Sequence, residues 1–291
     1  MRASPVENPA PPRDLPAALT ADILAALDPC TLAERIGFSP DAWQARALRS
    51  SARQQILLCS RQSGKSTVSA LLALHTALYQ PGALVLLLSP ALRQSQELYR
   101  KVRDALTRMQ IAAAAPAPSE ESALRLALPG GSRIISLPGS ESTVRGYSNV
   151  ALLVVDEASR VPDALYQAVR PMLAVSGGRL LLLSTPFGRR GFFHHEWSEG
   201  GPDWERVQVT AADCPRIDPQ WLATERAAIG DWWYQQEYLT MFVDPLDSVF
   251  ATEHIEAALD PAVLPLFPVD GDAGAGALPL DPGVNGHARV R

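Results

Sequence analysis

The residue types best suited to chemistry stand in CSRQSGKST, residues 59–67, between an apolar run and a helix-like stretch. In that context a Gly-Lys-Ser sequence is typical of a loop that binds phosphate. Where such a loop enters a helix, backbone N–H groups and the positive end of the helix dipole point at one place. Gly64 lets the backbone approach the phosphates, Lys65 brings a compact charge to the β- and γ-phosphates, and the Ser66 hydroxyl can ligate Mg²⁺. We therefore predict a nucleotide-binding loop made of Ser60, Arg61, Gln62, Ser63, Gly64, Lys65, Ser66 and Thr67.

This segment is a variant of the usual phosphate-loop pattern, because Cys59 stands where the first glycine is expected. The alternative interpretation is a Gly-Lys-Ser turn that only caps a helix. Of the 26 basic residues, only Lys65 and Lys101 are lysines. Lysine at position 65 therefore stands out against a strong arginine bias, which favours phosphate binding.

A second chemical signal is ALLVVDEAS, residues 151–159, where an apolar run ends in Asp156 and Glu157. This order places two carboxylates at the C-terminal end of a buried strand, where open α/β sheets bind their ligands. We predict that Asp156 holds Mg²⁺ together with Ser66, and that Glu157 orients and activates the attacking water. An apolar run ending in Asp-Glu is common by itself, but together with the loop it predicts a nucleotide hydrolase.

Two further segments complete the predicted site. In LLLLSTPFG, residues 180–188, an apolar run ends in Ser184-Thr185-Pro186, which resembles the γ-phosphate sensor of helicase-like motors. A strand followed by a proline turn is the alternative. Upstream of the loop, the Gln44 amide could read the edge of an adenine while Trp43 or an apolar neighbour packs on the base. A glutamine on a surface helix is the other interpretation.

These residues need a frame that brings them to one edge. Short apolar runs alternate with helix-like stretches, and strands that lose their polar alternation are buried on both faces, so we predict an α/β fold with a mostly parallel sheet and helices on both faces. The predicted strands are 55–60, 83–89, 151–156 and 179–185, with a hairpin of 124–128 and 132–137; the predicted helices are 20–35, a short one holding Trp43, 65–79, 91–110 and 162–174.

The same patterns divide the chain into segments. Residues 1–18 are expected to be a disordered leader, and 19–215 the ATPase core with its N-terminal helical adenine segment. Residues 216–260 are expected to form a small helical lid or linker at the C-terminal side of the core. Residues 261–291, rich in Pro, Gly, Asp and Ala, are expected to be a loose tail or the start of another domain.

Composition limits the function classes. The 291 residues are 47% hydrophobic, enough to bury a core, and the net charge of −5 gives no global basic field, so contact with nucleic acid would need local basic loops. Three widely spaced cysteines are typical of a reducing cytoplasm rather than of a disulfide scaffold. The apolar runs are too short to span a bilayer, so we expect no membrane partner and a cytoplasmic location.

Four segments together resemble the ATPase half of phage large terminase subunits, which package double-stranded DNA into a preformed capsid. They are the loop with Arg61 ahead of Gly-Lys-Ser, STVRGYSNVALLVVDEAS at 142–159, the Ser-Thr-Pro strand end, and DSVFATEHIEAAL at 247–259. The resemblance covers about residues 35–260. It implies a RecA-like P-loop ATPase that uses ATP and Mg²⁺ and forms a homo-oligomeric ring. It also implies work with double-stranded DNA, a portal ring and a small terminase subunit in the bacterial host.

The resemblance also implies roles for single residues. Arg61 matches the loop arginine that contacts the γ-phosphate or couples hydrolysis to movement. Arg145 is a candidate for the arginine that reaches a neighbouring subunit's nucleotide, because its planar fork suits spread phosphoryl charge; a loop arginine facing solvent or DNA is the alternative. Thr185 would couple hydrolysis to the helical appendage, and Gln44 would contact adenine.

One departure concerns the nuclease. Terminases of this type continue into a ribonuclease-H-like nuclease domain, whereas this sequence ends at Arg291. Residues 264–276 resemble the first strand of that domain, with Asp270 or Asp272 at the position of its first carboxylate. One carboxylate pair cannot assemble a two-metal site, so we expect no nuclease activity from this chain alone.

Two weaker features and two other functions remain open. His194 and His195 are expected to be exposed loop histidines rather than metal ligands. Arg189 and Arg190 could grip DNA phosphates or form a solvated basic turn. The alternatives to a packaging motor are a helicase-like nucleic-acid remodelling ATPase and a truncated prophage relic that binds nucleotide without a full cycle.

Overall fold

The computed structural model describes residues 16–112, 114–139 and 146–244, together with residues 254, 257–258 and 263. The elements named below all lie in the first of two units, which ends at Pro245. The helices are α1 (Ala17–Leu27), α2 (Pro29–Arg35), α3 (Ala42–Arg49), α4 (Lys65–Tyr79), α5 (Leu92–Ile111), α6 (Asp163–Val169), α7 (Gly191–Ser198), α8 (Pro219–Ile229) and α9 (Asp231–Glu237). The strands are β1 (Gln54–Cys59), β2 (Leu84–Ser89), β3 (Glu120–Glu121), β4 (Arg125–Ala127), β5 (Arg133–Pro138), β6 (Val150–Asp156), β7 (Arg179–Ser184) and β8 (Trp204–Val209).

The strands form one sheet in the order β3-β4-β5-β2-β6-β7-β1-β8. The six strands from β5 to β8 pair in parallel, and β3 and β4 extend the β5 edge as an antiparallel pair. Because parallel strands all point the same way, β1, β6 and β7 bring their carboxyl ends to one edge. The predicted, mostly parallel α/β sheet is confirmed.

Both faces of the sheet are apolar and covered by helices. On one face Leu57 and Leu87 pack in a core that includes α4 and α5. On the other face Ile56 and Leu86 pack against Phe193 of α7 in a second core. Alternate residues of one strand therefore enter different cores, which explains why the strands read as continuous apolar runs.

The predicted single helix over 20–35 is wrong, since two helices meet at Asp28. Pro29 has no N–H to continue the helix from α1, but its fixed φ suits the first position of α2. The Asp28 carboxylate caps α2 by accepting a hydrogen bond from the Cys30 N–H at 2.9 Å. The apolar pattern continues on both sides of this break, so periodicity alone predicted one helix.

Two other boundaries differ from expectation. The helix predicted over 162–174 ends at Val169, and 3₁₀ geometry follows over Arg170–Leu173; Pro171 has no N–H to continue the α-helical ladder. Strand β8 was not predicted. It is an edge strand in which charged and polar side chains interrupt the apolar ones, so it lacks the continuous run of a central strand.

Other elements agree with the sequence. Helix α4 spans the predicted 65–79, and the predicted hairpin is the β4–β5 pair. Residues 219–237 form two short helices, α8 and α9, within the segment 216–260 that was expected to be helical. None of the described helices combines the length and apolarity needed to cross a bilayer.

Candidate functional site

The main cavity lies at the carboxyl edge of the sheet, where the loop after β1 meets the ends of β6 and β7. Its volume is about 680 Å³. The residues that line it are Arg61, Gln62, Ser63, Gly64, Lys65, Ser66, Thr67, Gln94, Lys101, Glu157, Arg160 and Thr185. The structure thus brings together, from three separate segments, most of the residues that the sequence proposed for phosphate binding and hydrolysis.

The loop after β1 has a backbone that only glycine suits at one position. Gly64 has a φ of +93°, and a Cβ atom built there would lie 2.6 Å from Nε2 of Gln44. Gln62 is also in the left-handed region, with a φ of 58°. Ser60, at the start of the loop, donates its N–H to the Val209 carbonyl of β8 at 2.8 Å. The loop is therefore pressed against its support and leads directly into α4.

Gln44 lies behind this loop and does not line the cavity. It is fully buried. Its Nε2 donates to the Ser63 carbonyl at 3.2 Å, and its Oε1 accepts from the Asp41 N–H at 2.9 Å. The guanidinium of Arg216 donates to the same Ser63 carbonyl at 3.0 Å. Both ends of the Gln44 amide therefore brace the loop; contact with adenine stays a prediction.

Trp43 was considered as a residue that packs on the base. Its ring lies inside the protein, in the core beside α4. A smaller apolar cleft of about 230 Å³ lies next to the main cavity and shares Thr67 and Lys101 with it. Phe38 and Leu71 contribute apolar walls to this cleft.

The two predicted carboxylates occupy different surroundings at the end of β6. Asp156 is buried, its Oδ1 accepts from the Glu157 N–H at 3.0 Å, and the Ser66 hydroxyl donates to its Oδ2 at 3.4 Å. Burial, offset in part by the nearby ammonium of Lys65, raises the pKa of Asp156 to about 6. Glu157 instead pairs with Lys65, with 3.0 Å between Oε1 and Nζ.

Lys65 keeps its charge in this environment. Burial alone would lower the pKa of its ammonium, but the carboxylates of Glu157 and Asp156 outweigh that effect and raise it. Glu157 itself has a φ of 52°, in the left-handed region that a non-glycine residue adopts only when its surroundings hold it there. The end of β6 is thus a fixed turn that carries both carboxylates.

The oxygen donors here suit Mg²⁺ that arrives with a nucleotide. Ser66 and Asp156 offer a hydroxyl and a carboxylate side by side, both hard ligands. Within the described ranges no group of three or more His, Cys, Asp or Glu side chains could hold a metal ion. Mg²⁺ usually keeps several waters and takes its remaining ligands from one or two side chains and phosphate oxygens, so two protein oxygens fit it.

The end of β7 contributes the third segment. Thr185 is buried and lines the cavity. The hydroxyl of Ser184 lies 2.7 Å from that of Ser159, which follows the Asp-Glu pair, so a hydrogen bond ties the two strand ends together.

Arg61 leaves the loop in the direction of the helical appendage. Its side-chain Nε lies 2.7 Å from Oε2 of Glu237 at the end of α9, and its backbone N–H donates to the Glu237 carbonyl at 3.0 Å. In this structure the predicted γ-phosphate arginine is therefore held by a carboxylate, although it lines the cavity.

The remaining predicted residues divide into two groups. Arg145, Asp270 and Asp272 lie outside the described residues. His194 and His195 were expected to be exposed loop histidines, but both belong to α7, and His194 is only partly exposed.

The arginine turn before α7 makes unequal contacts. The Nε of Arg189 donates to the Phe242 carbonyl at 3.3 Å and lies 3.7 Å from a carboxylate oxygen of Asp244. The guanidinium of Arg190 lies over the ring of Phe187, 4.5 Å from its centroid.

Three residues of the cavity were missed by the sequence reasoning, namely Gln94, Lys101 and Arg160. A signal for Lys101 existed, because it is the other lysine of an arginine-rich chain, and both lysines line this cavity. No pattern marks Gln94. Arg160 stands three residues after Glu157, on a 3₁₀ turn that periodicity does not reveal.

Sequence comparisons identify related proteins. A family profile described as "Terminase large subunit, T4likevirus-type, N-terminal" matches residues 56–257. The large terminase subunit of Thermus virus P23-45 is 26% identical over 250 residues, covering 75% of this chain and 52% of that protein. The large terminase subunit of Thermus phage G20c is 25% identical with the same coverage. The chain spans about half the length of these curated relatives.

Solved structures share the fold. The large terminase ATPase domain of Thermus phage P74-26 superposes with a TM-score of 0.65 and 24% identity, covering 72% of this chain and 97% of that domain. The HK97 bacteriophage large terminase gives a TM-score of 0.59 and 13% identity, covering 70% of this chain and 51% of that protein. The predicted RecA-like P-loop fold is confirmed.

Proposed function

Because the chain belongs to the family of T4likevirus-type terminase large subunits and matches its N-terminal part, we propose that it hydrolyses Mg-ATP to drive the packaging of double-stranded DNA. The observation that carries the proposal is the meeting of Lys65, Ser66, Asp156 and Glu157 at one end of a RecA-like sheet. This arrangement supplies a phosphate cradle, a metal-binding pair and a carboxylate base within one cavity.

The phosphate loop would bind the triphosphate. The residues at the start of α4 line the cavity, so their backbone N–H groups would face the phosphates, and Lys65 would supply a positive charge there. Ser66 and Asp156 would hold Mg²⁺, which would neutralise charge on the phosphate oxygens during transfer. Thr67 lines both the main cavity and the apolar cleft, so the ribose side of the nucleotide would lie near that cleft.

Glu157 would then change partner. In this structure its carboxylate neutralises Lys65. A triphosphate offers Lys65 stronger anionic partners, so the Glu157 carboxylate becomes free to accept a hydrogen bond and then a proton from the attacking water. Lys65 therefore controls when Glu157 is available as the base.

The other predicted residues enter the proposal at the edges of the site. Thr185 would sense the γ-phosphate at the end of β7, and Arg61 would exchange Glu237 for phosphate. Gln44 would act through the loop that it braces, with adenine as its predicted contact. Arg145 is proposed to reach the nucleotide of a neighbouring subunit.

The proposed setting follows from the family. We propose a homo-oligomeric ring that acts on double-stranded DNA, with a portal ring and a small terminase subunit as partners, in the cytoplasm of a bacterial host. A ring motor needs local basic loops rather than a basic surface overall, so the net charge of −5 is compatible with DNA as the substrate.

Turnover of ATP by the wild type and by Glu157→Gln tests the proposal. We expect Glu157→Gln to lower kcat by about 100-fold or more while it still binds Mg-ATP, because the amide cannot take the proton of water but leaves Lys65 and Ser66 in place. Lys65→Ala should lose binding itself. The matched control is Glu199→Gln, an exposed glutamate after α7 that should turn over ATP like the wild type. Equal turnover by wild type and Glu157→Gln would reduce the chain to a nucleotide-binding module.

A further inference from the structure

Among the described residues four cationic side chains line the main cavity, and they differ in their partners. Arg61 and Lys65 each pair with a glutamate. Lys101 and Arg160 form no ion pair with any residue in the part of the chain that the structure describes. An unpaired cation that faces a phosphate-binding cavity is a group that an incoming anion would recruit.

Arg160 occupies the side of the cavity where hydrolysis would occur. It ends the 3₁₀ turn Ala158–Arg160, directly after Glu157, and its backbone N–H donates to the Glu157 carbonyl at 2.9 Å. It lines the cavity together with Glu157 and Thr185. Lys101 instead lies at the border with the apolar cleft, next to Thr67. Of the two unpaired cations, Arg160 is therefore the one beside the proposed base.

The guanidinium of Arg160 is held in this structure by an aromatic ring. Its Cζ lies 4.2 Å from the ring centroid of Phe187, two residues beyond Thr185. A cation–π contact at an exposed position is weaker than the paired, charge-assisted hydrogen bonds between a guanidinium and a phosphate. Phe187 can therefore hold Arg160 near the cavity without preventing its transfer to a phosphate.

We propose that Arg160 is a further catalytic residue of this site, whose guanidinium leaves the ring of Phe187 and donates hydrogen bonds to the terminal phosphate of the bound nucleotide. The inference rests on the proposed ATPase function. In the reaction the water oxygen bonds to the γ-phosphorus, the bond from that phosphorus to the bridging oxygen of ADP breaks, and Glu157 takes the proton of water. Arg160 exchanges no proton; it stabilises the negative charge on the γ-phosphoryl oxygens.

The same movement would change the turn beyond β7. The ring of Phe187 also carries the guanidinium of Arg190, 4.5 Å from its centroid. When Arg160 leaves, the ring would keep its contact with Arg190. The contents of the cavity would thus alter the contacts of an exposed arginine outside it.

The decisive measurement is the affinity of Arg160→Ala for two nucleotides, Mg-ADP and a non-hydrolysable Mg-ATP analogue. Only the analogue has the terminal phosphate. We expect Arg160→Ala to bind the analogue about tenfold more weakly and Mg-ADP within about twofold of the wild type. The kcat for ATP should fall by about 100-fold. Arg160→Lys should restore part of the affinity for the analogue, because it keeps the charge but not the planar fork.

Arg93→Ala is the matched control, since Arg93 is an exposed arginine next to Gln94 that does not line the cavity. It should leave both affinities unchanged. Thermal unfolding of each variant checks that these exposed substitutions leave the fold intact. An unchanged ratio of the two affinities in Arg160→Ala, or an unchanged kcat, would overturn the role of Arg160. Failure of the wild type to bind Mg-ATP would instead refute the proposed function.

Discussion

The carboxyl group of Asp156 is tuned mainly by its burial. In the unfolded chain its pKa would be near 3.8, and in the folded chain it is about 6. Folding therefore favours the protonated form, and stability falls as the pH rises from 3.8 to 6. Above pH 6 the loss is complete and amounts to roughly 3 kcal/mol. Lys65 and Glu157 face the same carboxyl group, and the lysine limits the loss.

Asp156→Asn should accordingly stabilise the nucleotide-free protein at pH 8. The amide keeps the shape of the side chain but carries no buried charge, so we expect a midpoint of thermal unfolding about 5 °C above that of the wild type. At pH 4 the difference should largely vanish, because Asp156 is then protonated. The exposed Asp203→Asn should change little at either pH. A variant that melts below the wild type at pH 8 would contradict the effect of burial.

Gly64 is a second residue whose role is set locally. Alanine there combines an unfavourable φ of +93° with a Cβ atom 2.6 Å from the Gln44 amide. Gly64→Ala should therefore displace the loop and weaken Mg-ATP binding by about tenfold or more. Gly37→Ala is the control for the cost of a positive φ alone, because Gly37 lies outside the loop and has a φ of +75° but nothing within 4 Å of the added Cβ.

Titration of both variants with Mg-ATP gives the result. Gly37→Ala should bind like the wild type and lose only about 1 kcal/mol of stability. Wild-type affinity for Mg-ATP in Gly64→Ala would contradict the conclusion that Gln44 leaves no room for a side chain at this position.

At the residue scale, the sequence predicted those site residues whose type and spacing together form a motif. Lys65, Ser66, Asp156 and Glu157 were predicted to share a site, and their side chains meet. Partners that approach through space carry no such signal. Glu237 lies 176 residues after the Arg61 that it holds.

At the scale of elements, the contact of Arg61 with Glu237 joins the phosphate loop to the end of α9. The Glu237 carboxylate is nearly buried, whereas the Arg61 side chain is 60% exposed. If Arg61 must leave Glu237 to reach a phosphate, then Glu237 competes with the nucleotide for Arg61. The ion pair then weakens nucleotide binding, and the bound nucleotide weakens the ion pair.

Glu237→Gln should therefore bind Mg-ATP about two- to fivefold more tightly than the wild type, because a neutral amide holds Arg61 less strongly. The backbone hydrogen bond from Arg61 to the Glu237 carbonyl remains in this variant. Glu225→Gln is the matched control, since Glu225 accepts from the Tyr238 hydroxyl and, among the described residues, forms no ion pair with the loop. Equilibrium binding of Mg-ATP decides; weaker binding by Glu237→Gln would mean that the pair supports the nucleotide-binding form.

The elements themselves were predictable to different degrees. Helix α4 and the central strands show a strong apolar pattern because they are buried, and their bounds were close to those observed. Pro29 could have marked the break between α1 and α2. The apolar pattern continues on both sides of this proline, however, and therefore favoured one helix. Strand β8 could not be recognised from its own residues, because it is defined by its pairing with β1 across about 150 residues of chain.

At the scale of the whole molecule, basic residues are concentrated at particular places although the net charge is negative. The chain is acidic overall, yet the turn after β7 places Arg189 and Arg190 at the edge that carries the cavity. Arg190 has an exposed guanidinium that contacts only an aromatic ring among the described residues. Cationic loops at the ligand edge suit the sequence-independent phosphate contacts of a DNA motor.

Replacement of Arg189 and Arg190 by alanine tests this contact. We expect the double variant to lose most of the stimulation of ATP turnover by double-stranded DNA. The slope of log affinity for DNA against log salt concentration should also fall by about 2. Arg100 and Arg103 of α5, which pair with Glu97 of the same helix and Glu121 of β3, provide a control double variant of equal charge. An unchanged salt slope in the first variant would remove Arg189 and Arg190 from the DNA surface.

The three cysteines have a practical consequence. Cys30, Cys59 and Cys214 are the only cysteines of the sequence, and all three are buried. Burial raises the pKa of each thiol, that of Cys59 to about 12, so almost no reactive thiolate forms at neutral pH. A cysteine introduced at the exposed Trp233 of α9 would therefore be the preferred target of a maleimide dye. Fluorescence from that one position could follow α9 during ATP turnover, with every native cysteine left in place.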